Sequence, residues 1–167
     1  MIPLIAVLLV LASPAPVAEE HSPTTTNLVG APVVIDGDTL RFDKERVRLF
    51  GIDAPEGKQS CTRDRVPWLC GQEAAKYLRE LVAGEYLSCA ERNRDRYGRI
   101  VGVCTLADGR DLGQVMVEAG YALAYRQYGG KLYDAAERSA KGERRGLWAG
   151  EFMAPWEWRR AGQRSFH

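Results

Sequence analysis

Histidine is almost absent from this chain of 167 residues, because His21 and His167 are the only two and both stand near the termini. This scarcity argues against hydrolases built on a Ser-His-Asp triad and against nucleases that use histidine as a base. The chain also lacks a large excess of positive charge. Its formal net charge of +1 excludes a global field that would attract a polyanion, but not a local binding site. The length suits one compact domain, and no internal repeat is visible.

The first 18 residues differ from the rest. Residues 1–12 are almost entirely apolar, and small residues with two prolines follow up to Ala18. This pattern predicts a secretory signal peptide over 1–18, or an uncleaved N-terminal anchor, although the usual basic segment at its start is missing. The apolar run is shorter than the roughly 20 residues that a spanning helix needs. The polar residues 19–28 are predicted to form a flexible leader.

Four cysteines fit an exported protein. Cys89 and Cys104 flank a turn-like stretch at 94–98, so a hairpin there would set them opposite each other. Cys61 and Cys70 would then close a small loop. Three pairings are possible in principle, of which 61–70 with 89–104 is favoured; four reduced, buried thiols are the alternative. Neither pair has the short spacing that is typical of a zinc site.

Alternating apolar residues predict strands, and a period near 3.6 predicts helices. Strands are expected at 33–35, 39–42, 47–52, 86–90 and 100–106, and helices at 72–82, at 112–119 after an Asp111 N-cap, and at about 131–143. Residues 57–70 are predicted to be a long polar loop, and the aromatic tail after 146 is expected to pack back on the body. These elements fit an α+β fold that is mainly a five-stranded OB-type barrel with three helices, although another α+β sheet also fits.

Arg48 lies within the apolar strand predicted at 47–52 and shares its parity with Phe50 and Ile52. On that parity its charge faces an apolar layer, where it is costly unless it is paired. We therefore expect an anion beside Arg48.

Carboxylates are expected to gather close to this strand. If the second and third strands form a hairpin that turns near Lys44/Glu45, Asp38 comes to lie beside residues 51–53, which include Asp53. Asp36 and Glu56 then lie on the flanking turns. Such charges repel one another unless a proton or a cation intervenes. A hard divalent cation with oxygen ligands, Ca²⁺ or Mg²⁺, would satisfy them.

Each motif also has an ordinary structural explanation. Asp-Gly at 36–37 is a common hairpin signal, and the residues at 53–56 are typical of turns. The stretch 94–99 could be a solvated hairpin tip, and Arg48 could form an internal ion pair.

The combination of motifs is more specific, because it resembles the staphylococcal nuclease (thermonuclease) family. The motifs are IDGDT at 35–39, VRLFGIDAPE at 47–56 and DRYGR at 95–99, and they occur in the order of that family. The resemblance covers roughly residues 33–148 and implies an OB-type barrel with three helices.

The resemblance implies three catalytic residues. Arg48 and Arg99 match the two arginines that grip the scissile phosphate, and Glu56 matches the carboxylate that orients or deprotonates the attacking water. Guanidinium groups suit this role because each can meet two phosphate oxygens and keeps its charge at working pH.

The resemblance also implies a calcium site. Asp38 and Asp53 match the direct ligands, and the next ligand is a backbone carbonyl at the position of Ala54, where a threonine is familiar in the family. Asp36 matches a nearby acidic residue that is not a principal ligand.

Three tyrosines are implied to bind substrate. Tyr97 matches a tyrosine that lines the nucleotide pocket. Tyr125 and Tyr128 lie near the places of further pocket tyrosines, but core packing is an equal alternative for these two.

Two segments depart from the family pattern. The stretch 57–70 is longer and carries two cysteines, and the tail beyond Trp148 is an extension. The last thirty residues hold seven basic and three acidic side chains, which could contact phosphate or could simply be solvated.

The sequence therefore predicts an exported, calcium-dependent endonuclease that hydrolyses DNA and RNA and leaves 3′-phosphate ends. The alternatives are a non-catalytic nuclease-like barrel that binds nucleic acid or protein, and a membrane-tethered structural protein with a vestigial site. The nuclease domain is expected at 29–160 and a tail at 161–167. We expect a monomer with DNA and RNA as substrates, no stable protein partner, and membrane contact only if residues 1–18 stay uncleaved.

Overall fold

The computed structural model describes residues 27–164, with side chains up to residue 162. The described part contains ten strands and four α-helices. The strands are β1 Asn27–Gly30, β2 Val33–Val34, β3 Thr39–Phe42, β4 Glu45–Leu49, β5 Ile52–Asp53, β6 Cys61–Arg63, β7 Val66–Trp68, β8 Leu87–Arg94, β9 Ile100–Thr105 and β10 Leu123–Ala124. The helices are α1 Cys70–Val82, α2 Leu112–Glu118, α3 Asp134–Gly142 and α4 Pro155–Arg164, with 3₁₀ turns at Arg126–Tyr128, Gly130–Tyr133 and Gly146–Ala149. The predicted signal peptide, most of the leader and both histidines lie outside the described residues.

Six strands form one curled sheet in the order β1-β8-β9-β4-β3-β2. Its neighbours are antiparallel except for the parallel pair β4 and β9. The β8–β9 register shifts between Glu91 and Asn93, and such an irregularity increases the local bend and twist of a sheet. The predicted α+β, OB-type architecture is confirmed, with six strands in the main sheet and four α-helices in the described part of the chain.

The predicted strand 47–52 is interrupted. β4 ends at Leu49, the chain turns at Phe50 and Gly51, and β5 begins at Ile52. Gly51 has a φ of 70°, a left-handed conformation that glycine adopts at little cost. This turn interrupts the alternation of side chains along the strand. The prediction that Arg48 and Ile52 face the same side was therefore wrong.

The predicted polar loop at 57–70 was also wrong in part. Within it, β6 and β7 form a two-stranded hairpin, and Cys61 and Cys70 close it with a disulfide. The second disulfide joins Cys89 and Cys104, which are register partners in β8 and β9. The favoured cysteine pairing is therefore confirmed.

The main core lies between the sheet and the first two helices. Leu40, Val47 and Leu87 are fully buried from the sheet, and Leu78 of α1 and Met116 of α2 are buried against them. Removing such side chains from water is the main stabilising contribution of the fold. This core holds β3 and β4 rigidly, and both strands lead into the site described below.

Helix α3 is anchored by a buried carboxylate. Glu137 accepts hydrogen bonds from the Ala124 amide at 3.1 Å, from Arg126 at 2.8 Å and from Lys141 at 3.0 Å. Burial acts to raise the pKa of Glu137, but these donors outweigh it and leave the pKa below its ordinary value. Glu137 thereby fixes α3 to β10.

A second, smaller cluster attaches the aromatic tail that follows residue 146. Cys61, Cys70, Leu123 and Leu147 are buried there, and tail aromatics pack on them, including Trp148, Phe152 and Trp156. The expectation that the tail packs back on the body is confirmed, and the described part of the tail includes α4. No helix within residues 27–164 is long and apolar enough to cross a membrane.

Candidate active site

The Asp36-Gly37-Asp38 turn and β5 come together at one point. The β3–β4 hairpin pairs Phe42 with Glu45, so it turns at Asp43–Lys44 and places Asp38 opposite Leu49, whose amide donates to the Asp38 carbonyl at 2.9 Å. The Asp38 side chain still reaches the segment after β5, because its Oδ2 accepts from the Ala54 amide at 3.0 Å.

A glycine is required in this turn. A Cβ at Gly37 would lie 2.7 Å from the Cβ of Ala54. The Asp-Gly pair therefore serves packing as well as any chemistry, which agrees with its ordinary structural explanation.

Arg48 joins the two buried aspartates. Its Nη1 lies 2.8 Å from Asp38 Oδ1 and its Nη2 lies 2.6 Å from Asp53 Oδ1. Burial acts to lower the pKa of Arg48, but the charges of the two carboxylates outweigh it and leave the pKa above its ordinary value. The expected anion beside Arg48 is thus, in the described structure, a pair of carboxylates.

The direction of Arg48 differs from the prediction. Val47 and Leu49 are buried in the core, whereas Arg48 between them is only partly buried and points to the opposite face of the sheet. Its charge therefore does not face the main apolar core, and the pairing rests on the turn that brings Asp53 beside it.

Asp36 adds a further negative charge. It accepts the Asp38 amide at 3.0 Å. Burial, followed by the charge of Asp38, raises the pKa of Asp36 to about 6. The site therefore holds more carboxylate than its arginines neutralise.

Glu56 lies on the segment after β5 and is held through its backbone. Its amide donates to Gln59 Oε1 at 3.2 Å, and its carbonyl accepts the Gln59 amide at 2.7 Å. Gln59 is fully buried and also donates from Nε2 to the Met153 carbonyl at 2.7 Å. Gly71 allows the Glu56 carbonyl to approach α1, since a Cβ there would overlap this oxygen.

Arg159 of α4 also enters the site. Its Nη2 lies 2.7 Å from Asp53 Oδ2, and its Nη1 lies 2.7 Å from Glu56 Oε1 and 3.1 Å from Asp53 Oδ1. Burial acts to lower the pKa of Arg159, but its hydrogen bonds with Asp53 and Glu56 leave the pKa above its ordinary value. A second guanidinium thus lies at the site beside Arg48, and it comes from the tail.

Arg99 is held within the β8–β9 hairpin. Its Nε donates to Asp95 Oδ2 at 2.8 Å, and its guanidinium carbon lies 5.8 Å from the ring centroid of Tyr97. Register pairs Arg48 with Val101 of β9, and Arg99 lies just before β9, at the end of the β8–β9 turn. The structure therefore places Arg99 beside the strand that neighbours β4, and its guanidinium contacts Asp95 rather than Arg48 or its partners.

The three predicted tyrosines have different surroundings. Tyr97 is exposed at the hairpin tip. Tyr125 stacks on Trp156 of α4 with ring centroids 5.1 Å apart, and it meets Tyr128 at 4.8 Å. Burial and the nearby charge of Asp53 raise the pKa of Tyr125, so this ring lies close to the site. Tyr128 is exposed beside it.

Two residues of this arrangement were missed or left undecided. Arg159 belongs to the basic tail whose contact with phosphate or solvent was left open, and no local pattern distinguished it from its neighbours. Gln59 stands in a segment predicted to be a loop, and no sequence signal indicated its burial.

The donors at the site suit a hard divalent cation. Four carboxylates (Asp36, Asp38, Asp53 and Glu56) stand against two guanidinium groups, and oxygen ligands are those that Ca²⁺ and Mg²⁺ prefer. Within residues 27–164 no three side chains of His, Cys, Asp or Glu are arranged to hold a metal ion. The implied set of Asp38, Asp53 and the Ala54 carbonyl contains two such side chains and one backbone oxygen.

Fold and site together define an OB-type barrel whose arginines and carboxylates converge where β3, β4 and β5 meet. The family model described as "Staphylococcal nuclease homologue" matches residues 46–150, which include Arg48, Asp53, Glu56 and Arg99. The chain belongs to this family. Membership of this family, together with relatives that are named as nucleases, shows that the protein is a nuclease and hence a hydrolase.

Several curated proteins are similar to this chain. A "Succinoglycan biosynthesis protein ExoI" from Rhizobium meliloti (strain 1021) is 40% identical over 123 residues, which cover 72% of this chain and 64% of that protein. An "Uncharacterized endonuclease" from Escherichia coli is 36% identical over 132 residues, or 75% and 80% of the two chains. A "Micrococcal nuclease" from Shigella flexneri is 34% identical over 145 residues, which cover 77% of this chain and 78% of that protein. The two disulfides are consistent with an extracellular protein.

Proposed function

We propose that the protein is a calcium-dependent endonuclease that hydrolyses phosphodiester bonds in DNA and RNA. The observation that carries the proposal is the placement of Arg48, which bridges Asp38 and Asp53 within 3 Å at the segment that carries Glu56. Relatives named endonuclease and micrococcal nuclease support the reaction class.

Arg48 and Arg99 are proposed to bind the scissile phosphate. Hydrolysis loads negative charge on the phosphoryl oxygens, and fixed guanidinium groups stabilise that charge. The position of Arg99 just before β9, the strand that pairs with β4, supports a shared role. Arg99 must turn from Asp95 to reach the same phosphate, and its partly exposed position leaves room for this rotation.

Glu56 is proposed to orient or deprotonate the attacking water. Gln59 holds the backbone of Glu56, while the Glu56 carboxylate is about one-third exposed and can contact a water molecule. Attack on the 5′ side of the phosphate would leave 3′-phosphate ends.

Asp38, Asp53 and the Ala54 carbonyl are proposed to hold Ca²⁺. A cation so placed would polarise the phosphate and help to position the water. The excess of carboxylates over guanidinium groups supports this assignment.

Tyr97, Tyr125 and Tyr128 are proposed to contact the nucleotide. Tyr125 is the best supported, since its ring stacks on Trp156 of α4, the helix that carries Arg159. Aromatic rings offer faces on which bases stack.

The protein is further proposed to be secreted or periplasmic and monomeric. Residues 1–18 would be the signal peptide or an anchor, 19–28 the leader, 29–160 the nuclease domain and 161–167 the tail. The disulfides support export.

Digestion of single-stranded DNA and of RNA, with and without a calcium chelator, tests the proposal. We expect cleavage of both polymers to stop on chelation and to return when Ca²⁺ is restored. Products that need phosphatase treatment before a polymerase extends them would have 3′-phosphate ends. Cleavage that is indifferent to chelation would refute the metal assignment, and tight binding without cleavage under any divalent ion would favour the non-catalytic alternative.

A further inference from the structure

Helix α4 contacts the site at three places. Arg159 binds Asp53 and Glu56, Trp156 stacks on Tyr125, and the Met153 carbonyl just before the helix accepts from Gln59. The tail is thus attached by ion pairs, an aromatic stack and a partly buried hydrogen bond. These contacts make α4 a structural part of the candidate site.

The guanidinium of Arg159 uses the oxygens that a cation would need. Asp53 Oδ2 accepts Arg159 Nη2 at 2.7 Å, while Asp53 Oδ1 accepts both Arg48 at 2.6 Å and Arg159 at 3.1 Å. The Asp53 side chain is fully buried, so water supplies little competition. A cation that coordinates Asp53 therefore approaches oxygens that guanidinium groups already occupy, and the like charges repel each other.

Of the two arginines that bind Asp53, Arg159 can leave the carboxylate more easily than Arg48. Its side chain is 34% exposed, against 18% for Arg48, so a rotation takes its charge into solvent. Arg48 starts on a rigid strand and also binds Asp38. The stack of Trp156 on Tyr125 does not involve the Arg159 side chain, so α4 itself can stay in place.

We propose that Arg159 is the residue that sets the cation affinity of the site, because its guanidinium neutralises Asp53 and Glu56 until a divalent cation displaces it. The inference rests on the proposed cation site. In the cation-free protein Arg159 keeps the two carboxylates from repelling each other. On binding, the cation replaces one positive charge with two and takes over Asp53.

Calorimetric titration of Ca²⁺ into the purified protein tests this inference without reference to activity. The variant Arg159→Gln removes the competing charge and its fork of donors. We expect its Kd for Ca²⁺ to fall by about tenfold, which corresponds to about 1.4 kcal/mol. The matched control is Arg160→Gln, which removes the same charge from the exposed neighbour on the same helix and is expected to leave Kd unchanged.

A second variant separates the effect of the Arg159 hydrogen bonds from the effect of its positive charge. Arg159→Lys keeps the charge, but a compact ammonium cannot span Asp53 and Glu56 as the planar fork does. We expect an intermediate Kd. Thermal unfolding provides a second measurement: without Ca²⁺ the Tm of Arg159→Gln should fall below that of Arg160→Gln, and saturating Ca²⁺ should remove most of this difference.

Equal Kd values for the wild type and both Arg159 variants would overturn the inference while leaving the cation site in place. Weaker binding in Arg159→Gln would also overturn it, since Arg159 would then support the site. If neither the wild type nor any variant binds Ca²⁺, the proposed cation site itself fails, and this outcome is distinct from the other two.

Discussion

Replacing Arg48 with alanine is expected to affect both stability and activity, because one guanidinium serves two carboxylates. Its hydrogen bonds to Asp38 and Asp53 are 2.8 and 2.6 Å long, and its side chain is only 18% exposed. Asp53 keeps Arg159 as a partner in the variant, but Asp38 loses its guanidinium.

The size of the two effects follows from these contacts. Removing one partner of a buried ion pair typically costs about 3 to 5 kcal/mol. Since Asp53 stays paired, we expect the lower end, about 3 kcal/mol in the free energy of unfolding. Loss of one fixed donor to a developing oxyanion lowers kcat by about 10²- to 10³-fold, which is the expected loss in cleavage rate.

The assay compares initial rates of single-stranded DNA cleavage at saturating Ca²⁺, together with denaturant unfolding in a chelator. Arg46→Ala is the matched control, because Arg46 is exposed on the same strand and the same face, two residues away. Arg48→Lys should give an intermediate result, since an ammonium lacks the planar fork. A wild-type rate in Arg48→Ala would refute the phosphate-binding role, and unfolding equal to that of Arg46→Ala would refute the structural one.

Three further predictions concern the framework of the site. Glu137→Ala should lower the free energy of unfolding by about 1 to 3 kcal/mol, because the Ala124 amide loses its buried acceptor. Arg126 and Lys141 are about half exposed, so water solvates their charges in the variant. The lowered pKa of Glu137 means that its stabilisation is present above the ordinary pKa of 4.5 and is lost as the pH falls through the folded pKa, which unfolding measured at pH 7 and below checks. Gly71→Ala should displace Glu56 and reduce both Tm and cleavage rate, whereas Gly57→Ala, with open space around it, should change neither. Cys89→Ala should cost about 3 kcal/mol in denaturant unfolding, as its disulfide closes a loop with a sequence separation of 15; equal unfolding of variant and wild type would contradict this.

Local patterns were sufficient for much of the fold. Asp111 accepts from the amides of Gly113 and Gln114 and begins α2 as an N-cap, as its place before an apolar period indicated. Cys89 and Cys104 face each other because hairpin geometry depends on nearby residues alone. Errors arose where short strands met turns: a single left-handed glycine, Gly51, divides one predicted strand into two.

Part of the candidate site was also readable in advance. The proximity of Asp38 and Asp53 was predicted from a hairpin that turns near Lys44/Glu45. It is found although the hairpin turns one residue earlier, at Asp43–Lys44, since the Asp38 side chain reaches the Ala54 amide. The face of Arg48 was predicted wrongly, because the parity was counted across the turn at Gly51.

The sequence alone determined the segments of the candidate site, since IDGDT, VRLFGIDAPE and DRYGR each lie within or beside a strand and its adjoining turn. Only the tertiary structure decided which charges meet. Arg159 lies 106 residues from its partner Asp53, and Gln59 lies 94 residues from Met153. The packing of the tail aromatics on the Cys61–Cys70 cluster sets these distances, and no local pattern encodes it. Arg99 is a different case, because its partner Asp95 lies only four residues away in the same hairpin.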